Sequence, residues 1–172
     1  MTKLEALKKI TEEIGNKGPV ITSLGITTRL FLIAQNRDKP ASNHFPVLSS
    51  MGSCLALAVG LARGLVDKKV TVVMGDGEFL MGINSFFTAA RLRLDNLKII
   101  VLNDARYAQS GGFSTAWKKI PMKNVAHALG FSGDNFLEME ISYDAKQEHI
   151  KRTMLMPKEV KQNFENYFKT QH

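Results

Sequence analysis

The chain has 172 residues, 44% of them apolar, which fits a single domain over 1–172 and excludes a disordered polypeptide. Its one cysteine, Cys54, excludes an internal disulfide and any zinc or iron–sulfur site built from clustered cysteines; it reads instead as a small buried hydrophobe. The formal charge of +7 comes without an arginine-rich run or an aromatic RNA-binding motif, so it points to an anionic substrate or an acidic partner rather than to nucleic acid.

Leu4, Leu7, Ile10 and Ile14 recur at helical spacing, and Gly15 supplies the stop. Residues 19–23 read as a short buried strand, Gly25 opens a turn, and 27–35 continue as a helix broken by Asn36-Arg37-Asp38-Lys39-Pro40. His44 precedes Phe45-Pro46 in a loop. Residues 51–65, rich in Ala, Leu and Gly, suit a helix packed closely on a sheet, and 70–74 form a buried strand. In 80–94, Phe86, Phe87, Ala90 and Leu94 share one face of a helix; 97–102 make the next strand. Residues 105–119 form a long irregular loop, a length that in compact domains usually marks function. A short helix over 124–129 carries His127 on its apolar side, and 136–141 alternate as a strand. Pro157 suits a helix start, with Val160, Phe164 and Phe168 as the apolar face. Strands alternating with helices predict an α/β fold, a three-layer α/β/α sandwich around a mostly parallel sheet. No run of about 18 apolar residues predicts a membrane helix. The charged opening Met1-Thr2-Lys3-Leu4-Glu5 lacks the apolar core of a signal peptide, so a cytoplasmic location without membrane association is expected.

Two strands end in acidic turns. Val70-Thr71-Val72-Val73-Met74 empties into Gly75-Asp76-Gly77, and Leu97 through Leu102 empties into Asn103-Asp104, 28 positions after Asp76. Neighbouring parallel strands release their loops at one carboxyl edge, where ligands bind. Two carboxylates delivered there suit a hard divalent cation such as Mg²⁺, which shares its shell with phosphate oxygens. Gly77 and the helix start after it offer N–H groups to a phosphate. The alternative for Asp76 is a plain helix cap.

Gly75-Asp76-Gly77 with Asn103-Asp104 resembles the thiamine diphosphate motif, which in that family closes on Asn-Asn. Ile21-Thr22-Ser23-Leu24-Gly25-Ile26-Thr27-Thr28-Arg29 resembles the Thr-Gly-x-Thr-Ser-Arg turn of the phosphonopyruvate and sulfopyruvate decarboxylases. Ser49-Ser50-Met51-Gly52 is similar to their Gly-Ser-Met-Gly. Tyr107-Ala108-Gln109-Ser110-Gly111-Gly112-Phe113-Ser114-Thr115 is similar to their Tyr-x-Ser-x-Gly-Gly-Gln-x-Thr. Met156-Pro157-Lys158-Glu159-Val160-Lys161-Gln162-Asn163-Phe164 resembles their Ser-Pro-x-Glu-x-Lys-x-x-Phe. The likeness runs in one order over about 20–168. It is to the diphosphate-binding domain, as in the beta subunit of sulfopyruvate decarboxylase and the C-terminal domain of phosphonopyruvate decarboxylase.

The resemblance implies the thiamine diphosphate-binding fold and assigns roles. Asp76 and Asp104 would ligate Mg²⁺ with the backbone carbonyl of Arg106, Asp104 bringing a charge that the family's Asn lacks. Gly25, Ile26, Gly75, Gly77, Glu78 and Tyr107 would approach the cofactor, the glycine turns and Glu78 through its diphosphate. Met51 would wedge beneath the thiamine, against the alternative of plain core, while the Ser49 carbonyl and Met51 amide bond its pyrimidine. His44 lies near where relatives hold an active-site His, able to bind a substrate acid group or shuttle a proton; a structural role is the alternative. Arg29 would bridge to a neighbouring subunit or form an internal salt bridge. Phe113 stands where phosphonate- and sulfonate-handling relatives have Gln. Between Phe131 and Phe136 a strand and helix common in relatives are missing, which predicts a trimmed sheet edge.

Only the diphosphate half of such an enzyme is represented, and no glutamate falls in a segment like the pyrimidine half. The expected protein is therefore the thiamine diphosphate- and Mg²⁺-binding subunit of a hetero-oligomeric 2-oxo acid decarboxylase, with a pyrimidine-domain (alpha) subunit as partner and a 3-substituted pyruvate as substrate. The alternatives are a carboligase subunit like that of acetolactate synthase, a non-catalytic phosphate-binding module, and a regulatory subunit.

Overall fold

The computed structural model describes residues 1–15, 17–151 and 155–170. Helix α1 (Lys3–Ile14) starts from a capping box in which Thr2 Oγ1 accepts from the Glu5 N–H and Glu5 Oε2 accepts from the Thr2 N–H. It ends at Gly15, whose φ of 52° few other residues adopt without strain. Strand β1 (Val20–Thr22), helix α2 (Ile26–Ala34), strand β2 (His44–Pro46), helix α3 (Cys54–Gly64) and strand β3 (Val70–Gly75) follow. Helices α4 (Asp76–Met81) and α5 (Ile83–Leu92), strand β4 (Leu97–Asn103), the small strands β5 (Arg106–Tyr107) and β6 (Phe113–Ser114), helix α6 (Met122–Ala128), strand β7 (Phe136–Glu140) and helix α7 (Pro157–Lys169) complete the order.

The main sheet is wholly parallel, ordered β2-β1-β3-β4-β7. Alternation along its strands feeds two cores. Val72, Met74, Ile99 and Val101 pack with α3, α5, Phe79 and Phe164 on one face. Val73, Ile100 and Leu102 pack with Ala6, Leu7, Ile10, Leu30 and Phe31 on the other. This is the expected three-layer sandwich. From β1 the chain winds outward to β2, then returns to place β3 on the other side of β1. The crevice at the carboxyl ends of β1 and β3 is therefore the topological switch point, where open α/β sheets bind ligands.

Several local expectations are corrected. The helix expected over 80–94 is two helices, and it starts earlier, at Asp76. The break falls at Gly82, where a Cβ would stand 2.2 Å from the Gly52 carbonyl oxygen, so close backbone approach dictates glycine there. Phe87 is exposed while Ser85, Phe86 and Ala89 face inward. The helix expected over 51–65 begins only at Cys54, because Ser50 (φ 66°) and Gly52 (φ 91°) are left-handed. The loop over 105–119 contains the β5–β6 hairpin and two 3₁₀ turns, Ala108–Ser110 and Trp117–Lys119. In α6, Met122 and Ala126 turn inward and His127 is exposed. In α7 the buried residues are Val160, Phe164 and Tyr167, with Phe168 at the margin.

The edge expected to be trimmed is formed by β7, which pairs with β4 directly after the 129–135 turn. Thr2 forms a parallel bridge to Ser142 just past β7, and the Ser142 N–H donates to the Met1 carbonyl. The start of α1 is thereby pinned at the carboxyl edge of the sheet. Among the described residues no helix is long and apolar enough to cross a membrane.

Candidate active site

At the switch point a cleft of about 150 Å³ is lined by Ser23, Leu24, Ile26 and Thr27 after β1, Met51, the 75–78 turn after β3, residues 106–110 of the hairpin, and Lys3. Eight of the residues singled out in the sequence thus meet at one place: Ile26, Met51, Gly75, Asp76, Gly77, Glu78, Arg106 and Tyr107. Gly25 adjoins them; Ser49 is exposed on the turn leading to Met51 and does not line the cleft.

The two glycine turns leave no room for side chains. Gly25 has φ 81°, and a Cβ there would come within 2.0 Å of Gln109 Oε1; at Gly77 a Cβ would come within 2.5 Å of the Tyr107 ring. The hairpin side chains therefore lie directly against the side-chain-free backbone of the two turns, a cradle suited to a group bound through N–H donors. Met51 is 40% exposed and lines the cleft, so it does not belong to the core.

Asp76 is the first residue of α4, whose N-cap is Gly75 and carries no side-chain cap bond, so the helix-cap alternative is not met. Asp76 Oδ2 instead accepts from Thr115 Oγ1 at 2.5 Å. Burial first, and the charge of Asp104 with it, push the Asp76 carboxyl up to about 6, against the opposing Thr115 bond and Lys3 charge. The β3–β4 register places Gly75 beside Leu102, which delivers Asp76 and Asp104 to the same sheet edge. Asp104 Oδ1 accepts from the Arg106 N–H at 3.1 Å and Oδ2 pairs with Lys3 Nζ at 2.9 Å. Asn103 holds the turn from beneath: its Oδ1 accepts from the Ala105 N–H and its Nδ2 donates to Glu138 Oε1, which also receives the Trp117 indole N–H. Ala105 is left-handed there, with φ 55°. The Arg106 side chain folds back, donating to the Gly112 carbonyl and lying over the Tyr143 ring. Phe113, at the hairpin tip, is 71% exposed.

Glu78 is buried, and Oε1 accepts from the Cys54 N–H at 3.1 Å, tying α4 to the first turn of α3. Burial raises its pKa, opposed by the N–H groups of Gly52 and Cys54. Cys54 is fully buried, as expected, with its thiol pKa pushed up by that burial and by the Glu78 charge. Arg29 Nη1 donates to the Ile150 carbonyl at 2.7 Å, so it joins α2 to the segment before α7.

His44 does not lie in a loop facing the site. It belongs to edge strand β2, is 1% exposed, bonds Thr22 Oγ1 through Nε2 at 2.8 Å and packs on the Phe31 ring. Burial lowers its pKa to about 3. A histidine held neutral in the fold favours protonation only once unfolded, so stability is whole above pH 6.5 and lost as pH falls toward 3. Between pH 7 and pH 5 the chain is expected to lose about 2 kcal/mol through this group, at about 1.4 kcal/mol per unit below 6.5. Urea titrations at the two pH values check this; His44→Gln should flatten the difference.

Lys3, Thr115, Gln109 and Glu138 were not singled out in the sequence as site residues. Thr115 sits at the end of the Gly-Gly segment and carried a signal; Lys3 reaches the site through the packing of α1 on the sheet and the bridge that pins Thr2.

A parallel sheet with a glycine-cradled, carboxylate-bearing switch point defines a cofactor-binding α/β domain. The family model "Thiamine pyrophosphate enzyme, C-terminal TPP binding domain" matches residues 24–172, and the chain belongs to that family of thiamine pyrophosphate enzymes. It is similar to the sulfopyruvate decarboxylase subunit beta of Methanothermobacter thermautotrophicus, 34% identical over 80% of this chain and 71% of that one. The subunit of the same name from Methanocaldococcus jannaschii is 27% identical over 74% and 66%. Phosphonopyruvate decarboxylase of Streptomyces hygroscopicus is 29% identical, and the chain spans only 31% of its length. In fold the chain resembles a thiamine diphosphate-dependent 4-hydroxybenzoylformate decarboxylase of Rhodococcus jostii, with TM-score 0.60 and 16% identity over 84% of this chain and 33% of that one.

Proposed function

We propose that the chain is the cofactor-binding subunit of a thiamine diphosphate-dependent decarboxylase acting on an anionic, 3-substituted 2-oxo acid of the sulfopyruvate or phosphonopyruvate class. The observation that carries this reading is the convergence of the Gly25 turn, the Asp76-Gly77 turn and the exposed Met51 at the switch point. The backbone at Gly25, Ile26, Gly77 and Glu78 would take the diphosphate. Asp76, Asp104 and the Arg106 carbonyl would hold a hard cation such as Mg²⁺, for which an all-oxygen donor set is suitable. Met51 would support the cofactor from one side, with the Ser49 carbonyl and Met51 amide toward its pyrimidine.

When bound, thiamine diphosphate supplies the electron sink for loss of CO₂. The protein's own work is positioning: Thr115 fixes the Asp76 carboxylate, and Tyr107 and Gln109 close over the glycine turns. The cleft is smaller than the roughly 300 Å³ at which pockets enclose a drug-sized ligand. That size supports a site completed by a second, pyrimidine-binding subunit in a hetero-oligomer, and the +7 charge supports an anionic substrate. We place the assembly in the cytoplasm.

The purified chain is expected to release no CO₂ from 3-sulfopyruvate or 3-phosphonopyruvate above background, and the complex with a co-expressed pyrimidine-domain partner to do so with an aldehyde product. Normal turnover by the chain alone would overturn the two-subunit reading. A coupled C–C product instead of an aldehyde would turn it toward carboligation.

A further inference from the structure

Lys3 and Asp104 form an ion pair at 2.9 Å whose side chains are only 6% and 3% exposed; Lys3 lines the cofactor cleft and Asp104 lines the cavity beside it. Nothing in α1 favours a lysine there. The first turn of a helix is electropositive, so a cation in it is opposed by the macrodipole as well as by desolvation. Glu5, not Lys3, makes the cap, and Ala6, Leu7 and Ile10 make the helix's core contacts. The position of the ammonium is explained by what it faces: Asp104 directly, and the charge of Asp76 beyond it.

Two carboxylates at adjacent strand ends attract a divalent cation but repel a diphosphate. With Lys3 in place, Asp76, Asp104 and Lys3 sum to one negative charge; without it they sum to two. We propose that Lys3 is a charge-balancing residue of the site, neutralising Asp104 so that, of the two carboxylates delivered by β3 and β4, only Asp76 stays uncompensated and cation and diphosphate can share the crevice. This rests on the cofactor site proposed above and deepens it, because it assigns the compensation for the extra carboxylate to a residue 101 positions earlier in the chain.

The prediction has opposite signs for opposite charges, which a merely structural ion pair does not produce. Mn²⁺ binding to the full purified chain, read by electron paramagnetic resonance, is expected to tighten on the order of tenfold in Lys3→Met. Binding of inorganic diphosphate in the presence of Mg²⁺, read by calorimetry, is expected to weaken on the order of tenfold in the same variant. Asp104→Asn, which keeps Lys3, should loosen Mn²⁺ and tighten diphosphate, and Lys3→Met/Asp104→Asn should return both toward the wild-type values. If Lys3→Met does not fold, Asp104→Asn and the double variant still decide the sign. Parallel losses of both ligands in Lys3→Met, or no change in either with Asp104→Asn, would overturn the proposal. Should no form of the chain, nor its complex, take up diphosphate or thiamine diphosphate, the cofactor reading fails, while the ordering of Mn²⁺ affinities still decides the role of Lys3.

Discussion

Asp76→Asn is expected to make the cofactor-free chain more stable while removing its cofactor affinity. The carboxyl is buried beside Asp104, and its pKa lies at about 6 against an ordinary 3.8. A carboxyl raised in the fold contributes stability while protonated, and that contribution is lost as pH rises from 3.8 through about 6. At pH 7.5 the ionised group therefore costs the fold on the order of 1–3 kcal/mol. Asparagine keeps an oxygen for Thr115 and carries no charge, so chemical denaturation at pH 7.5 should give a stability gain of that order, absent at pH 4. Affinity of the assembled complex for thiamine diphosphate with Mg²⁺ should meanwhile fall about a hundredfold, the loss typical when one partner of a buried charge pair is removed. A residue that weakens the fold and is kept for binding leaves this signature; a destabilised Asp76→Asn chain would mean that the carboxylate serves the fold.

The second large effect is expected at Gly25. Valine there meets two obstacles. A β-branched residue at φ 81° is strained, and its Cβ falls 2.0 Å from Gln109 Oε1. Gly25→Val should cost about 1–3 kcal/mol of stability by the backbone alone and abolish cofactor uptake by filling the cradle between β1 and α2. The two causes separate in a pair of variants. Adding Gln109→Ala removes the collision but leaves the backbone strain, so stability should recover only in part and binding not at all. Calorimetric unfolding and thiamine diphosphate titration of both variants read the two quantities independently. Full recovery of binding in the double variant would show that the side-chain collision, not the cradle, was the obstacle.

The central sheet was legible because β3 and β4 are short apolar runs, each ending abruptly in a polar turn, a pattern set by burial on both faces. The meeting of Gly75-Asp76-Gly77 with the Ile26 and Met51 turns followed from that parallel register and from the ordered motifs. What escaped was decided between segments. The helix break at Gly82 depends on the backbone of Gly52, thirty positions earlier, and nothing near Gly82 announces it. His44 read as a loop residue because β2 is only three residues long and carries no alternation, while its burial comes from Thr22 and Phe31 on other elements. Lys3 carried no signal beyond its place in the charged opening of the chain, since its partner lies 101 positions later and is brought to it by the packing of α1 on the sheet and the bridge between Thr2 and Ser142. The likeness to relatives pointed to two turns, at Gly25 and Gly77, where the structure leaves no room for a side chain, while at His44 it did not reveal that the side chain turns into the fold.

The central claim is that a divalent cation held by Asp76 and Asp104 joins a diphosphate to the crevice between β1 and β3. Pulsed electron–nuclear double resonance on the assembled complex, loaded with Mn²⁺ and thiamine diphosphate, tests it most directly. A ³¹P hyperfine coupling, lost in Asp76→Asn, is the predicted result. Bound Mn²⁺ without phosphorus coupling, or a coupling unchanged in Asp76→Asn, would contradict it.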